Sequence, residues 1–137
     1  MAATLTENKT FGDGSRPAGS YINRIALAWV SHTDGTVALA SGVINGTILC
    51  VEFKPDGGGT QPTDSYDVTL TDAAGVDVLA GQGANLSNST ATAVCPGVPF
   101  KDGTTTSAAP RVVADALTLN VSNAGSGKGG QVILYVR

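Results

Sequence analysis

Tight-turn signals punctuate this chain at fairly even spacing, and they constrain its fold more than any other feature. Asp34-Gly35, Asn45-Gly46, Asp56-Gly57 and Asp72-Ala-Ala-Gly75 mark points where the chain reverses. Glycine takes the positive φ values such turns demand, and aspartate or asparagine bonds its own backbone there. Between the turns, apolar residues recur at every second position. Ile25, Leu27 and Trp29 share one parity, with the small Ala26 and Ala28 on the other, and Tyr66, Val68 and Leu70 repeat the pattern. A period of two is the strand period. Eighteen glycines and six prolines in 137 residues argue against a helical bundle, because they cost about 1 and 3 kcal/mol respectively inside a helix.

The pattern predicts strands over residues 22–30, from 37, and over 47–53, 66–71, 76–79, 112–121 and 131–136. Thr33-Asp-Gly-Thr36 reads as a hairpin turn and Val43-Ile-Asn-Gly46 as another turn. Residues 81–93 are ambiguous, with room for one short helical turn near 84–86. Residues 122–130 are expected to join the last two strands as a hairpin. Seven or eight short strands so spaced indicate an all-β fold, a single-domain β-sandwich or jelly-roll-like barrel, over residues 21–137. Residues 1–20 differ. They hold few large apolar groups, chiefly Leu5 and Phe11, and Gly12–Gly19 shows neither strand nor helix period. This segment reads as an extended N-terminal arm that gains order against a partner. Leu5, Phe11, Arg16 and Tyr21 are its candidate partner-binding residues, because buried aromatic and arginine side chains dominate interface energies.

Charge narrows the function. Eight Lys and Arg against eleven Asp and Glu leave a net charge of −3, too little basic surface to release counterions from nucleic-acid phosphates. No run of about 18 apolar residues is available to span a membrane, and the first ten residues do not read as a secretory signal.

Catalytic hardware is sparse. His32 is the single histidine and sits beside a turn, with no nucleophile motif to serve. The two glutamates, Glu7 and Glu52, are far apart in the chain, and most aspartates stand where turns want them. A loop calcium site using Asp56, Asp64 or Asp77 stays open as the minor reading, since oxygen ligands need no fixed spacing. Gly125-Ser-Gly-Lys-Gly-Gly130 fails the phosphate-loop pattern at both ends. Cys50 and Cys95 lie in apolar runs and read as small buried hydrophobes, with a disulfide as the alternative. Five of the seven asparagines head N-x-[ST] triplets; without a secretory signal this reflects β-type composition. The expectation is a protein that is not an enzyme and uses no cofactor and no metal.

The stretch Tyr66-Asp-Val-Thr-Leu-Thr-Asp-Ala-Ala-Gly-Val-Asp-Val-Leu-Ala-Gly-Gln-Gly-Ala-Asn-Leu-Ser87 resembles one found in small structural proteins of tailed bacteriophages. The polar arm and the Gly/Thr/Ala/Val-rich, low-charge body are similar to head decoration (cement) proteins. That resemblance implies a virion protein made in the host cytoplasm and placed on the outer surface of the capsid. Its partner would be the major capsid protein of the same virion, and the family implies a homo-oligomer, often a trimer. Two rival expectations remain: a tail or head–tail connector component, and a carbohydrate- or receptor-binding β-sandwich module. For the latter, Tyr21 is the best candidate for an exposed aromatic.

Overall fold

A computed structural model describes residues 1–10, 22–99 and 108–137. It is all-β. Eight strands run β1 (Thr4–Thr10), β2 (Asn23–Val30), β3 (Val37–Pro55), β4 (Asp67–Thr71), β5 (Thr92–Val94), β6 (Gly97–Pro99), β7 (Ala108–Ser122) and β8 (Gly129–Val136). Among the described residues the only helical piece is a 3-10 turn at Gly58–Thr60. The short helical turn expected near 84–86 is absent; that segment is a bend that ends in a bridge from Leu86 to Tyr66.

The strands form one antiparallel sheet in the order β1-β2-β8-β3-β7-β4, with β5 added on β3 and β6 on β7. The long β3 organises it. Its first half, Val37 to Ile48, pairs with β7, and its second half, Ile48 to Pro55, pairs with β8. The sheet thereby folds over on itself as a β-sandwich-like single domain. Both halves contribute to one core, in which Leu27, Ile48, Val51, Leu70, Leu117, Leu119 and Leu134 are sealed from water. Full burial of each such side chain is worth about 1.5–3 kcal/mol.

The long β3 corrects the expected turn at 43–46, since the chain continues through it as strand. Two irregularities bend the strand, one between Ala40 and Val43 and one between Ile48 and Cys50. Gly46 sits between them at φ +136°, and a Cβ there would lie 2.7 Å from Val136 and 2.8 Å from the Arg137 carbonyl. The Asn-Gly pair serves close approach to the C-terminus rather than reversal.

Two expected hairpins are also corrected. The 33–36 turn forms, with Gly35 at φ +84° and the His32 N–H donating to the Thr36 carbonyl at 2.8 Å. Yet it leads β2 into β3, and β8 lies between them. Likewise β7 and β8 are consecutive but separated by β3. Periodicity marks where strands are, whereas sandwich connections choose neighbours by long-range packing. The expected return strand at 76–79 shrinks to a single bridge, Thr71 to Asp77.

The N-terminal expectation divides. Thr4–Thr10 pairs with β2 along its whole length, from Thr4 opposite Val30 to Thr10 opposite Arg24. Over these residues the arm is a strand of the body's own sheet. Its sequence hid this because only Leu5 of the inward row is apolar; Glu7 and Lys9 complete that row. Residues 11–20, and the turn expected at Asp102-Gly103, lie outside the described residues.

Candidate interaction surface

Several aspartates are occupied in holding the backbone. Asp72 accepts from the Ala74 and Val76 N–H groups at 3.0 Å each through one oxygen. Its other oxygen takes the Arg111 guanidinium at 2.6 Å. Asp77 accepts from the N–H groups of Leu70, Leu79 and Gly81. Asp67 receives the Asn85 N–H and the Asn123 amide, and Asp64 receives the Asn88 N–H. For Asp72 this is the turn chemistry the sequence suggested, whereas Asp64 and Asp67 reach across to distant segments. Among the described residues no three His, Cys, Asp or Glu side chains gather as a metal cluster would.

His32 is exposed on its turn, with Nδ1 3.2 Å from the Thr33 hydroxyl and 3.4 Å from Asp34 Oδ1. The Thr36 hydroxyl and N–H both donate to Asp34, and these bonds hold its carboxyl below the usual aspartate value. The Thr33 and Thr36 hydroxyls are both taken up in these turn contacts. The Gly125–Gly130 linker clasps the same end of the molecule. Ser31, fully buried, donates to the Gly125 carbonyl at 2.6 Å and accepts the Lys128 N–H at 2.9 Å. The lysine Nζ reaches the Gly59 carbonyl at 3.0 Å. A phosphate loop would leave that amine free.

Among the described residues Trp29, Phe53 and Tyr66 point into the core, while Tyr135 is half-buried. Trp29 and Tyr66 lie ring to ring at 5.7 Å in a tilted arrangement, and Phe53 is buried beside them in the core. Burial, helped by the Asp56 charge, pushes the Tyr66 phenol up to about 12. A sugar platform cannot be made from these rings.

Of the candidate arm residues, Leu5 stands opposite Trp29 and packs, half-buried, against the protein's own core. Phe11, Arg16 and Tyr21 lie outside the described residues.

A surface that sequence reasoning missed lies on the outer side of β3 and β7. Val43, Asn45 and Thr47 pair with Ala116, Ala114 and Val112 on one face. Val43 is 57% exposed and Val112 is 67% exposed, so large apolar side chains stand in water on this face. Beside it is an open groove of about 290 Å³, where the Asp72–Ala74 turn meets Val112, Ala114 and Asp115. The Arg111–Asp72 pair ties that turn to β7, and the Arg111 Nε is buried without a partner. The signal was available in the sequence. Val112-Val113 puts two valines on opposite faces of one strand, so one of them must face out. Comparison with family models, with curated proteins and with solved structures finds no match for this chain.

Proposed function

We propose that this protein is a virion structural protein, a capsid decoration protein that binds the assembled head of a tailed phage and reinforces it. The observation that carries the reading is a contrast. Asp34, Asp72, Asp77 and His32 are engaged in contacts within their own turns, while the β3–β7 face presents Val43, Val112 and Ala114 to solvent. An exposed face of small and β-branched residues suits a protein surface, whereas a small substrate needs a pocket with convergent polar groups. The Tyr66–Ser87 stretch that resembles phage structural proteins supports the same reading, because here it builds framework. It supplies β4 and the loop that covers β4's outer side.

The test is co-sedimentation of the full chain with empty heads assembled from the same virion's major capsid protein, followed by negative-stain imaging. The expected result is saturable binding at regular positions on the outer surface. Val112→Asp should weaken it at least about tenfold, as for loss of an interface anchor, while the unfolding midpoint stays near wild type. Binding to tails or connectors instead of heads would move the protein to the neighbouring virion class. Binding to neither, with the fold intact, would reject the virion assignment.

A further inference from the structure

β5 adds to β3 by an antiparallel ladder of three pairs: Val51 with Val94, Glu52 with Ala93, and Phe53 with Thr92. One step further along the same ladder sets Cys95 opposite Cys50. Both thiols are free; Cys50 is half-buried and Cys95 is exposed. Directly opposed residues of antiparallel strands have Cα atoms about 4.5–5.5 Å apart. That falls within the roughly 4.4–6.8 Å that a disulfide accepts, and the two side chains leave the same face of the sheet.

The environment differs between the two sulfurs. Burial pushes the Cys50 thiol up, the neighbouring Cys95 thiol adds to this, and the Glu52 charge adds further. Cys50 is therefore held protonated in neutral solution, and Cys95 is the sulfur that an incoming reagent reaches.

We propose that Cys50 and Cys95 form a thiol–disulfide site, which a low-molecular-weight disulfide such as oxidised glutathione converts into a cross-strand bond within one chain. Cys95 gives its proton to solvent, and its thiolate attacks one sulfur of the glutathione disulfide. That S–S bond breaks, and one glutathione leaves as thiolate and takes up a proton. Cys50 then loses its proton and attacks the Cys95 sulfur of the mixed disulfide, releasing the second glutathione. Two protein thiols are oxidised to one disulfide while one glutathione disulfide is reduced to two thiols. The bond would staple a strand of only three residues to the centre of the sheet. It would do so just before the chain crosses through Pro96 to β6 and onto β7.

The full chain at low concentration, equilibrated in glutathione buffers from reducing to oxidising, tests this directly. Alkylation, intact mass and peptide mapping report the thiols. The oxidised protein should lose both free thiols and two hydrogens, with one linked peptide pair containing Cys50 and Cys95. Its unfolding midpoint should rise and fall back after dithiothreitol. Cys50→Ser should stop at a glutathione adduct on Cys95, with no rise. Should that variant fail to fold, the wild-type peptide map still decides. Two free thiols in the oxidising buffer, glutathione on both cysteines, or a disulfide between chains would each overturn the site.

Discussion

At one edge of the sheet, β1 reaches across to β3 through two charged side chains. At the other, β4 is sealed by backbone bonds and buried leucines. Both edges would otherwise expose rows of N–H and C=O groups able to template pairing with another chain. On the β1 side, the irregularity at Ser41–Gly42 takes two residues of β3 out of register with β7. The Leu117 N–H, left without a ladder partner, donates to the Ser41 hydroxyl at 3.1 Å. The Gly42 N–H donates to Glu7 at 2.6 Å, and Lys9 Nζ donates to the Val43 carbonyl at 3.1 Å. Glu7 and Lys9 also pair with each other. Charged residues pointing inward close this side.

The β4 edge is closed from its own sequence neighbourhood. The Val68 N–H donates to the Gly83 carbonyl at 2.7 Å, the Val78 N–H to Leu70 at 2.8 Å, and the Leu86 N–H to Tyr66 at 2.8 Å. Val78, Leu79 and Leu86 turn into the core behind those bonds. Gly83 is required, because a Cβ there would collide with the Val68 carbonyl. One edge is thus a polar latch of exchangeable contacts, and the other is continuous with the hydrophobic core. The difference places the polar, exchangeable contacts at the N-terminal strand and the apolar seal at β4.

The largest expected effect tests whether the 72–86 loop is truly core. Leu79 lies outside every strand yet is fully buried. Leu79→Ala should therefore destabilise by about 2–5 kcal/mol, like Leu70→Ala in β4 itself. Urea unfolding of the two variants gives the comparison. A Leu79 effect below about 1 kcal/mol, with Leu70→Ala costly, would show that the loop merely drapes over the edge.

How much of this could be read beforehand depends on what kind of information each element uses. The inward faces of β2 and β4 were legible, since Leu27, Trp29, Tyr66, Val68 and Leu70 follow period two and are all buried. Strand neighbours were not, because nothing local in 31–36 or 122–130 reveals that β8 or β3 will be inserted between two consecutive strands. β1 was missed for a different reason. An edge strand held by charge carries almost no apolar alternation, so nothing marked Glu7 and Lys9 as part of an inward row. Cys50 and Cys95 looked like core residues because their neighbours are apolar. Strand alternation instead puts them half-buried and exposed on the outer face. The exposed Val112 face was hidden in the same way, inside a run of apolar letters whose parity decides which ones are wet.

A smaller effect sharpens the contrast from the β1 side. Lys9→Ala should cost less than about 1 kcal/mol, the usual range for a partly exposed ion pair, and raising the salt concentration should shrink the difference further. Glu7→Ala should release the Gly42 N–H to solvent. Amide hydrogen exchange at Gly42 should then accelerate, while Val68 and Val78 on the opposite edge stay protected. Equal protection of both edges in that variant would mean that β1 is held by its ladder to β2 alone, and that the latch is ornamental.

The smallest effect separates a carboxylate inside the fold from one on its surface. Asp77 binds three N–H groups at the β4 edge, whereas Asp34 does similar work in the exposed 33–36 turn. There the Thr36 hydroxyl at 2.6 Å and the Thr36 N–H at 3.0 Å hold the Asp34 carboxyl below its ordinary value. A carboxyl depressed in the folded state contributes stability that is present above the unfolded pKa. That contribution fades as the pH falls through the lower folded value. Water competes for every contact of this exposed group, so the effect on the unfolding midpoint should be slight and confined to the acid side of the ordinary aspartate range. Titration followed at the Asp34 carboxyl carbon by NMR should show the depressed midpoint directly. Thr36→Val, which removes the hydroxyl and keeps the N–H, should move that midpoint back up toward the ordinary value. An unchanged midpoint in Thr36→Val would assign the depression to the backbone bond or to the neighbouring His32 rather than to the threonine hydroxyl.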